Sequence, residues 1–348
     1  MIGFDPSLVV AKEVAVALAG GPAAVARVRR AGRNSRVYRV RVGARTYALK
    51  QYPSPRHDDP RDRLSTEVAA LRLMERHGIE MVPRVIAVDR DRGYALLSWL
   101  DGSPVVQIAD ADVDTAIAFL AAIHALRRRA EAADQPMAAE ACLSGREIER
   151  QIEQRLARLR GCCEPEAELA AFLEHAFVPA WQRLAARARA HMDAAGLDFA
   201  ADLPQQCRTL IPADFGFHNS LRGAGGLLAF VDFEYFGWDD PVKLTADMLL
   251  HPGMPLSLHQ RDHFRRAAAQ LYGEDTTFAR RLDALVPLFG LRWALILLNE
   301  FIPERWSHRL VAGATGTWDE ARTRQLGRAR EMLASLADQV EDYVDGET

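Results

Sequence analysis

Five side chains of this 348-residue chain have types and spacings that could do chemistry. Asp214 and Asn219 stand five residues apart in Leu210-Ile-Pro-Ala-Asp-Phe-Gly-Phe-His-Asn219, a loop after a strand-like run, and Asp232 follows thirteen residues later, closing the apolar run Leu227–Val231. Lys50 ends a run whose alternation puts Tyr47 and Leu49 on one face and Ala48 and Lys50 on the other. Glu67 falls in the first turn of a helix expected from about Leu64 to His77, where a carboxylate suits the helix dipole. A strand lysine paired with a helix glutamate is how nucleotide kinases fix the amine that meets ATP phosphates, and phosphoryl transfer needs little more: an aspartate to orient or deprotonate the acceptor hydroxyl, and oxygen ligands for magnesium. Each motif alone is weak; their order and spacing together are strong.

The elements that must position these residues follow from periodicity and turn residues. Residues 7–19 read as a short helix, then Ala24–Val28, Arg36–Val42 and Thr46–Gln51 alternate with period two and predict an antiparallel meander. After the predicted helix, ended by Gly78, come strand-like runs Arg84–Val88 and Tyr94–Trp99. From Ala111 the chain turns to amphipathic helices near 113–130, 145–160, 166–195, 258–272 and 276–302, interrupted by Thr209–Ile211 and Leu227–Phe233. This predicts an α+β protein with residues 1–100 as a small antiparallel sheet with one helix and 101–348 as a mainly helical lobe.

Composition narrows the classes further. With 49% apolar and 26% charged residues the chain can bury a core, and 44 basic against 47 acidic residues offer no global attraction to nucleic acid or anionic membranes. The apolar run Trp293–Leu298 is far shorter than the ~20 residues of a membrane span, so no membrane segment is expected. Asp5, Lys12 and Glu13 do not suit a secretory signal, and Cys142, Cys162, Cys163 and Cys207 match no metal-ligand spacing; a cytoplasmic protein with reduced thiols is expected. Only three basic residues are lysine (Lys12, Lys50, Lys243). Where arginine replaces lysine so freely, the lysines that remain favour places where a guanidinium does not fit.

On these residues the chain resembles the aminoglycoside phosphotransferase and choline kinase-like family, small-molecule kinases related to protein kinases. The resemblance runs over most of residues 24 to 250 and implies a two-lobed protein-kinase-like fold, with a nucleotide-binding role for residues 1–100, a catalytic and substrate role for 101–348, and ATP, or GTP in its place, and Mg2+ as cofactors. Gly32-Arg-Asn-Ser35 resembles the glycine-containing nucleotide loop, with Ser35 near the phosphates, and Lys50 and Glu67 match the phosphate-binding ion pair. Leu96-Leu-Ser-Trp-Leu-Asp-Gly102 resembles the linker whose backbone near Ser98 and Leu100 bonds adenine, and Phe119-Leu-Ala-Ala-Ile-His124 a structural helix. Asp214 matches the catalytic aspartate, and Asn219 and Asp232 the magnesium ligands. Two departures mark a divergent branch: Pro212 stands where the family usually has histidine, and Leu244 where it commonly has an aspartate after Asp240-Pro241. Pro212 is the feature that favours the alternative of a non-catalytic nucleotide-binding scaffold. A protein kinase is disfavoured, because Gly-x-Gly-x-x-Gly, His-Arg-Asp and Ala-Pro-Glu are missing.

The expected partner is a small molecule with a hydroxyl: a sugar, amino sugar, aminoglycoside or amino alcohol. Glu234, Asp239 and Asp240 form either an acidic rim for magnesium or a cationic acceptor, or a set of loop braces. His218 is not needed as a base, since Asp214 already fills that geometric role. Arg292, Asn299 and Glu300 interrupt an apolar helix over Leu285–Ile302, and at 100° per residue they share one side. Three polar groups there predict an internal brace or an acceptor pocket lined by Asn299 and Glu300, with Asp240 as a further substrate contact.

Overall fold

The structure, a computed structural model, describes residues 6–28, 35–55, 59–162, 166–254, 256–306 and 316–345. Gly32, Arg33 and Asn34 of the expected nucleotide loop, and Cys163, lie outside the described residues. Packing divides the chain into two compact units, residues 1–140 with 209–238, and residues 141–208 with 239–348. The boundary expected at residue 100 follows the change in composition. Packing gathers the helix after residue 100 and the segment 209–238 with the sheet: Phe119 of that helix lies 5.6 Å from Phe215 and 4.6 Å from Phe230 between ring centroids, and Asp232 of the segment bonds Lys50 of the sheet.

In the first unit, helix α1 (Pro6–Ala19) is followed by strands β1 (Ala24–Arg27), β2 (Arg36–Val42) and β3 (Arg45–Gln51), then by α2 (Arg63–Arg76), β4 (Val85–Asp89) and β5 (Tyr94–Ser98). The sheet is antiparallel in the order β1-β2-β3-β5-β4. The meander therefore stops at β3, and the chain crosses through α2 to the far edge before β5 returns to pair with β3. One sheet face packs Tyr38, Val40, Leu49, Tyr94 and Leu96 against Ala11, Val14 and Ala15 of α1. Alternation along β3 then turns Lys50 to the opposite face, as the sequence predicts.

Helix α2 starts one residue earlier than predicted because Asp62 caps it, its carboxylate accepting the Ser65 N–H at 2.9 Å. Glu67 therefore lies past the first turn, and its place is set by its partners and not by the helix dipole. Helix α3 (Asp110–Leu126) follows the short strand β6 (Ser103–Pro104). Strands β7 (Thr209–Ile211), β8 (Ser220–Arg222) and β9 (Leu228–Phe230) complete this unit's labelled elements, with β9 pairing β8 and β8 pairing β6.

The second unit is helical: α4 (Gly145–Arg160), α5 (Ala167–Ala171) running through a π turn (Phe172–Phe177) into α6 (Val178–Ala194), α7 (Pro241–Leu250), α8 (Leu258–Leu271), α9 (Phe278–Leu297) and α10 (Trp318–Asp345). Sequence periodicity anticipates α4, α6, α8 and α9; α7 and α10 are additional. Helix α9 is the hub on which α4, α6, α7 and α10 pack, which explains its apolar character. With the turn that follows it, Phe278–Phe301 is long and apolar enough to cross a bilayer by length and composition, and most of it is buried inside the protein.

Candidate active site

The Asp214 loop is anchored from both sides. Behind it, Phe215 and Phe230 stack with Phe119 of α3, and Thr209 Oγ1 at the start of β7 lies 2.8 Å from His124 Nδ1. These contacts pack the residues on either side of Pro212 against α3. Ala213 and Asp214 both adopt positive φ (39° and 45°), a backbone costly for non-glycine residues that persists only where surroundings impose it. Asn219 Nδ2 donates to the Asp214 carbonyl at 3.0 Å, closing the loop, while the Asp214 carboxylate stays exposed with His218 Nε2 at 3.2 Å from its Oδ1.

The β8–β9 hairpin brings the next residues together. Ser220 pairs with Phe230, and one step further the Val231 N–H donates to the Asn219 carbonyl at 2.9 Å. Asp232 follows at φ 73°, another strained turn that redirects its carboxylate. There it meets Lys50, whose Nζ lies 2.7 Å from Asp232 Oδ1 and 2.6 Å from Glu67 Oε2. Glu67 Oε1 accepts the Phe233 N–H at 3.3 Å, tying α2 to the same segment. Burial alone would depress the Lys50 ammonium, but Asp232 and Glu67 hold it well above the ordinary lysine value. Burial pushes the Asp232 carboxyl up to about 7 against the pull of Lys50, and Glu234 and Glu67 push it the same way.

Two further groups join this centre: Glu234, which the sequence leaves open between an acidic rim and a loop brace, and Arg63, which it does not single out. Glu234 is buried, takes the Ser35 hydroxyl hydrogen bond at 2.7 Å, and stands 3.4 Å from Lys50 Nζ. Arg63, also buried, donates to Glu234 Oε1 at 2.7 Å. Arg63 lies four residues before Glu67 and so on the same face of α2, but nothing in the sequence joins it to Glu234, 171 residues away. Carboxylate oxygens of Glu67, Asp232 and Glu234 fall within 4.8 Å of one another. An all-oxygen set of three carboxylates is the donor chemistry that fits a hard divalent cation such as Mg2+.

The remaining predicted residues are placed as follows. Ser98 ends β5 with its N–H donated to the Arg84 carbonyl at 2.8 Å and its Oγ accepting the Arg84 N–H at 2.9 Å, and Leu100 lies in the irregular stretch beyond it. Asp240, in the second unit, is buried; Oδ1 caps α7 by accepting the Val242 N–H at 2.8 Å, and Oδ2 takes Arg281. With both oxygens spent on the fold, this placement does not favour a substrate contact. Asp239 likewise braces, accepting the Cys142 and Asp240 N–H groups at 2.7 and 2.8 Å beside buried Lys243. Of the crowded acids, only Glu234 is in the Lys50 centre.

The predicted stripe of Arg292, Asn299 and Glu300 does not persist as an α-helical face, because α9 ends at Leu297 and residues 298–301 tighten into a 3-10 turn. The 100° step no longer applies past that point. Arg292 instead reaches Asp247 at 3.7 Å and Gln151 at 3.2 Å. Glu300 is buried, and its carbonyl accepts the Trp318 indole N–H at 2.6 Å. Asn299 is half-buried in the same turn.

Comparison with solved structures agrees with this architecture. The chain is similar to the choline kinase LicA from Streptococcus pneumoniae (16% identity, TM-score 0.56, covering 95% of this chain and 100% of that one), which has also been solved with AMP. It is similar to APH(2″)-IIa in its gentamicin complex (14%, TM-score 0.55, 96% and 97%) and to the macrolide 2′-phosphotransferase MphH from Brachybacterium faecium (17%, TM-score 0.51, 89% and 97%). At these identities the likeness shows the fold, which is α+β and protein-kinase-like. No curated protein matches the sequence. The family model for the phosphotransferase enzyme family matches residues 25–284, and the chain belongs to that family.

Proposed function

We propose that this protein transfers the γ-phosphoryl group of ATP, with Mg2+, to a hydroxyl of a small polar metabolite of the sugar, amino sugar or amino alcohol class. The observation that carries the reading is the Lys50 ammonium fixed between Glu67 and Asp232, in the same unit as the strained Asp214 loop. The fold and family are those of phosphotransferases, and the named relatives include a choline kinase and a phosphotransferase complexed with gentamicin.

In this reading Lys50 contacts phosphate oxygens and Ser35 lies at the phosphate end of the nucleotide loop, while the backbone near Ser98 and Leu100 takes the adenine. Asp214 accepts the proton of the acceptor hydroxyl as its oxygen bonds to the γ-phosphorus and the bond to the β-phosphate bridging oxygen breaks. Asp232 and Asn219 hold Mg2+, which when bound neutralises phosphate charge. Asn219 also fixes Asp214 through its carbonyl, so the base and the metal ligand move as one piece.

The test is acceptor-dependent ADP release across sugars, aminoglycosides and amino alcohols with magnesium present, together with calorimetric titration of ATP. Turnover with one such class is expected, and Asp232→Ala should remove the magnesium effect on nucleotide affinity. A protein that binds ATP but releases ADP with no hydroxyl acceptor would overturn the reading.

A further inference from the structure

Arg63 occupies a place in the Lys50 centre that the phosphoryl-transfer reading leaves unexplained. It opens α2, and its guanidinium is buried with 7% of the side chain exposed. Nη1 donates to Glu234 Oε1 at 2.7 Å and Nη2 to Asp59 Oδ2 at 2.6 Å, and the group lies 5.1 Å from the Tyr235 ring centroid. The fork is thus fixed in direction by two carboxylates and an aromatic ring.

Its partner Glu234 is the third carboxylate around Lys50. Glu67 and Asp232 hold the ammonium at 2.6 and 2.7 Å, whereas Glu234 stays at 3.4 Å. One Glu234 oxygen is taken by Arg63 and the other by the Ser35 hydroxyl. The oxygen 3.4 Å from Lys50 is Oε2, which takes the Ser35 hydroxyl; released from Arg63, Oε1 is free to turn with the carboxylate toward the nearest remaining cation, which is Lys50.

We infer that Arg63 is a positioning residue for Lys50, holding Glu234 off the ammonium so that Lys50 stays on Glu67 and Asp232 and remains able to meet phosphate. The inference rests on the reading of this centre as a nucleotide-phosphate site. It differs from a simple staple between α2 and the 232–235 segment, because it makes the damage from losing Arg63 depend on the charge of Glu234.

The experiment is a double-mutant cycle on the full chain: Arg63→Met, Glu234→Gln and the pair together, with Kd for Mg-ATP measured by calorimetry and Tm recorded for each. Arg63→Met should weaken Mg-ATP binding about tenfold, and adding Glu234→Gln should return the affinity to within about threefold of Glu234→Gln alone. Arg63→Lys, paired with the same Glu234 change, gives the cycle in a milder background and should lie closer to wild type. A double variant as weak as Arg63→Met, or a fall in Tm with unchanged Kd, overturns the inference. Wild-type protein that binds no Mg-ATP overturns the reading of the centre and the inference with it, whereas wild-type binding matched by Arg63→Met overturns the inference alone.

Discussion

Lys50 and Asp232 are 182 residues apart in sequence and 2.7 Å apart in the fold. With Glu67 at 2.6 Å on the other side, the ammonium is fixed by two carboxylates from two different elements. The ring of Tyr52, with its centroid 4.9 Å from Nζ, closes a further side of the site. The compactness of this cage is what an ammonium satisfies and a guanidinium does not.

Lys50→Arg should therefore damage nucleotide binding although it keeps the charge. The longer, planar group cannot meet Glu67 and Asp232 in the same volume, and a loss of about tenfold or more in ATP affinity is expected. Calorimetry with ATP checks it, and wild-type affinity in the variant would mark Lys50 as replaceable.

Asp214→Asn should leave nucleotide binding and Tm near wild type while lowering turnover about 100-fold or more, the range for loss of a positioned base. The amide keeps the shape of the side chain, and the loop is held by the Asp214 carbonyl and the Phe119 cluster instead of by the carboxylate alone. Single-turnover kinetics at saturating ATP and acceptor measure it, and retained turnover removes Asp214 from the chemistry.

A third pair gives a pH dependence with a definite sign. Arg222 Nη1 and Nη2 each donate to an Asp112 oxygen at 2.7 Å, joining β8 to the first turn of α3. The Arg222 hydrogen bonds hold the Asp112 carboxyl below its ordinary value, with burial opposing them. A carboxylate depressed in the folded state stabilises the fold above the ordinary carboxylate range and loses that contribution as pH falls through its folded value. Arg222→Gln should cost about 1–2 kcal/mol at pH 7, with the difference from wild type shrinking below about pH 4. Urea midpoints at pH 7, 5 and 3 decide it, and a gap of equal size at pH 3 would contradict the pairing.

Much of the Lys50 centre was legible because strands have a fixed side-chain period. Alternation placed Lys50 opposite Leu49, and the spacing of Asp214, Asn219 and Asp232 reflects one loop and one hairpin, which are local structures. Arg63 was not legible: among 44 basic residues a helix-opening arginine looks solvated until its long-range partner Glu234 is known. Helix α7 could have been found, since Asp240-Pro241 is a capping residue followed by proline at the first helical position. Asn299 and Glu300 were misplaced for a physical reason, because periodicity assumes an unbroken helix and α9 tightens one residue before Asn299.

The first unit is assembled from two stretches of chain separated by residues 141–208. Lys50 emerges during synthesis long before its partner, and at roughly 5–20 residues per second the wait for Asp232 is about 10–40 seconds. For that interval the ammonium has Glu67 but neither Asp232 nor Glu234, and Phe119 lacks Phe215 and Phe230. The sheet can form early from near neighbours, whereas the charged centre and the Asp214 loop can only close late, after the helices of residues 141–208 have been made. A chain cut between residues 98 and 232 would thus contain every strand of the sheet and the Lys50–Glu67 pair, yet lack the Asp232 and Glu234 carboxylates that complete the charged centre.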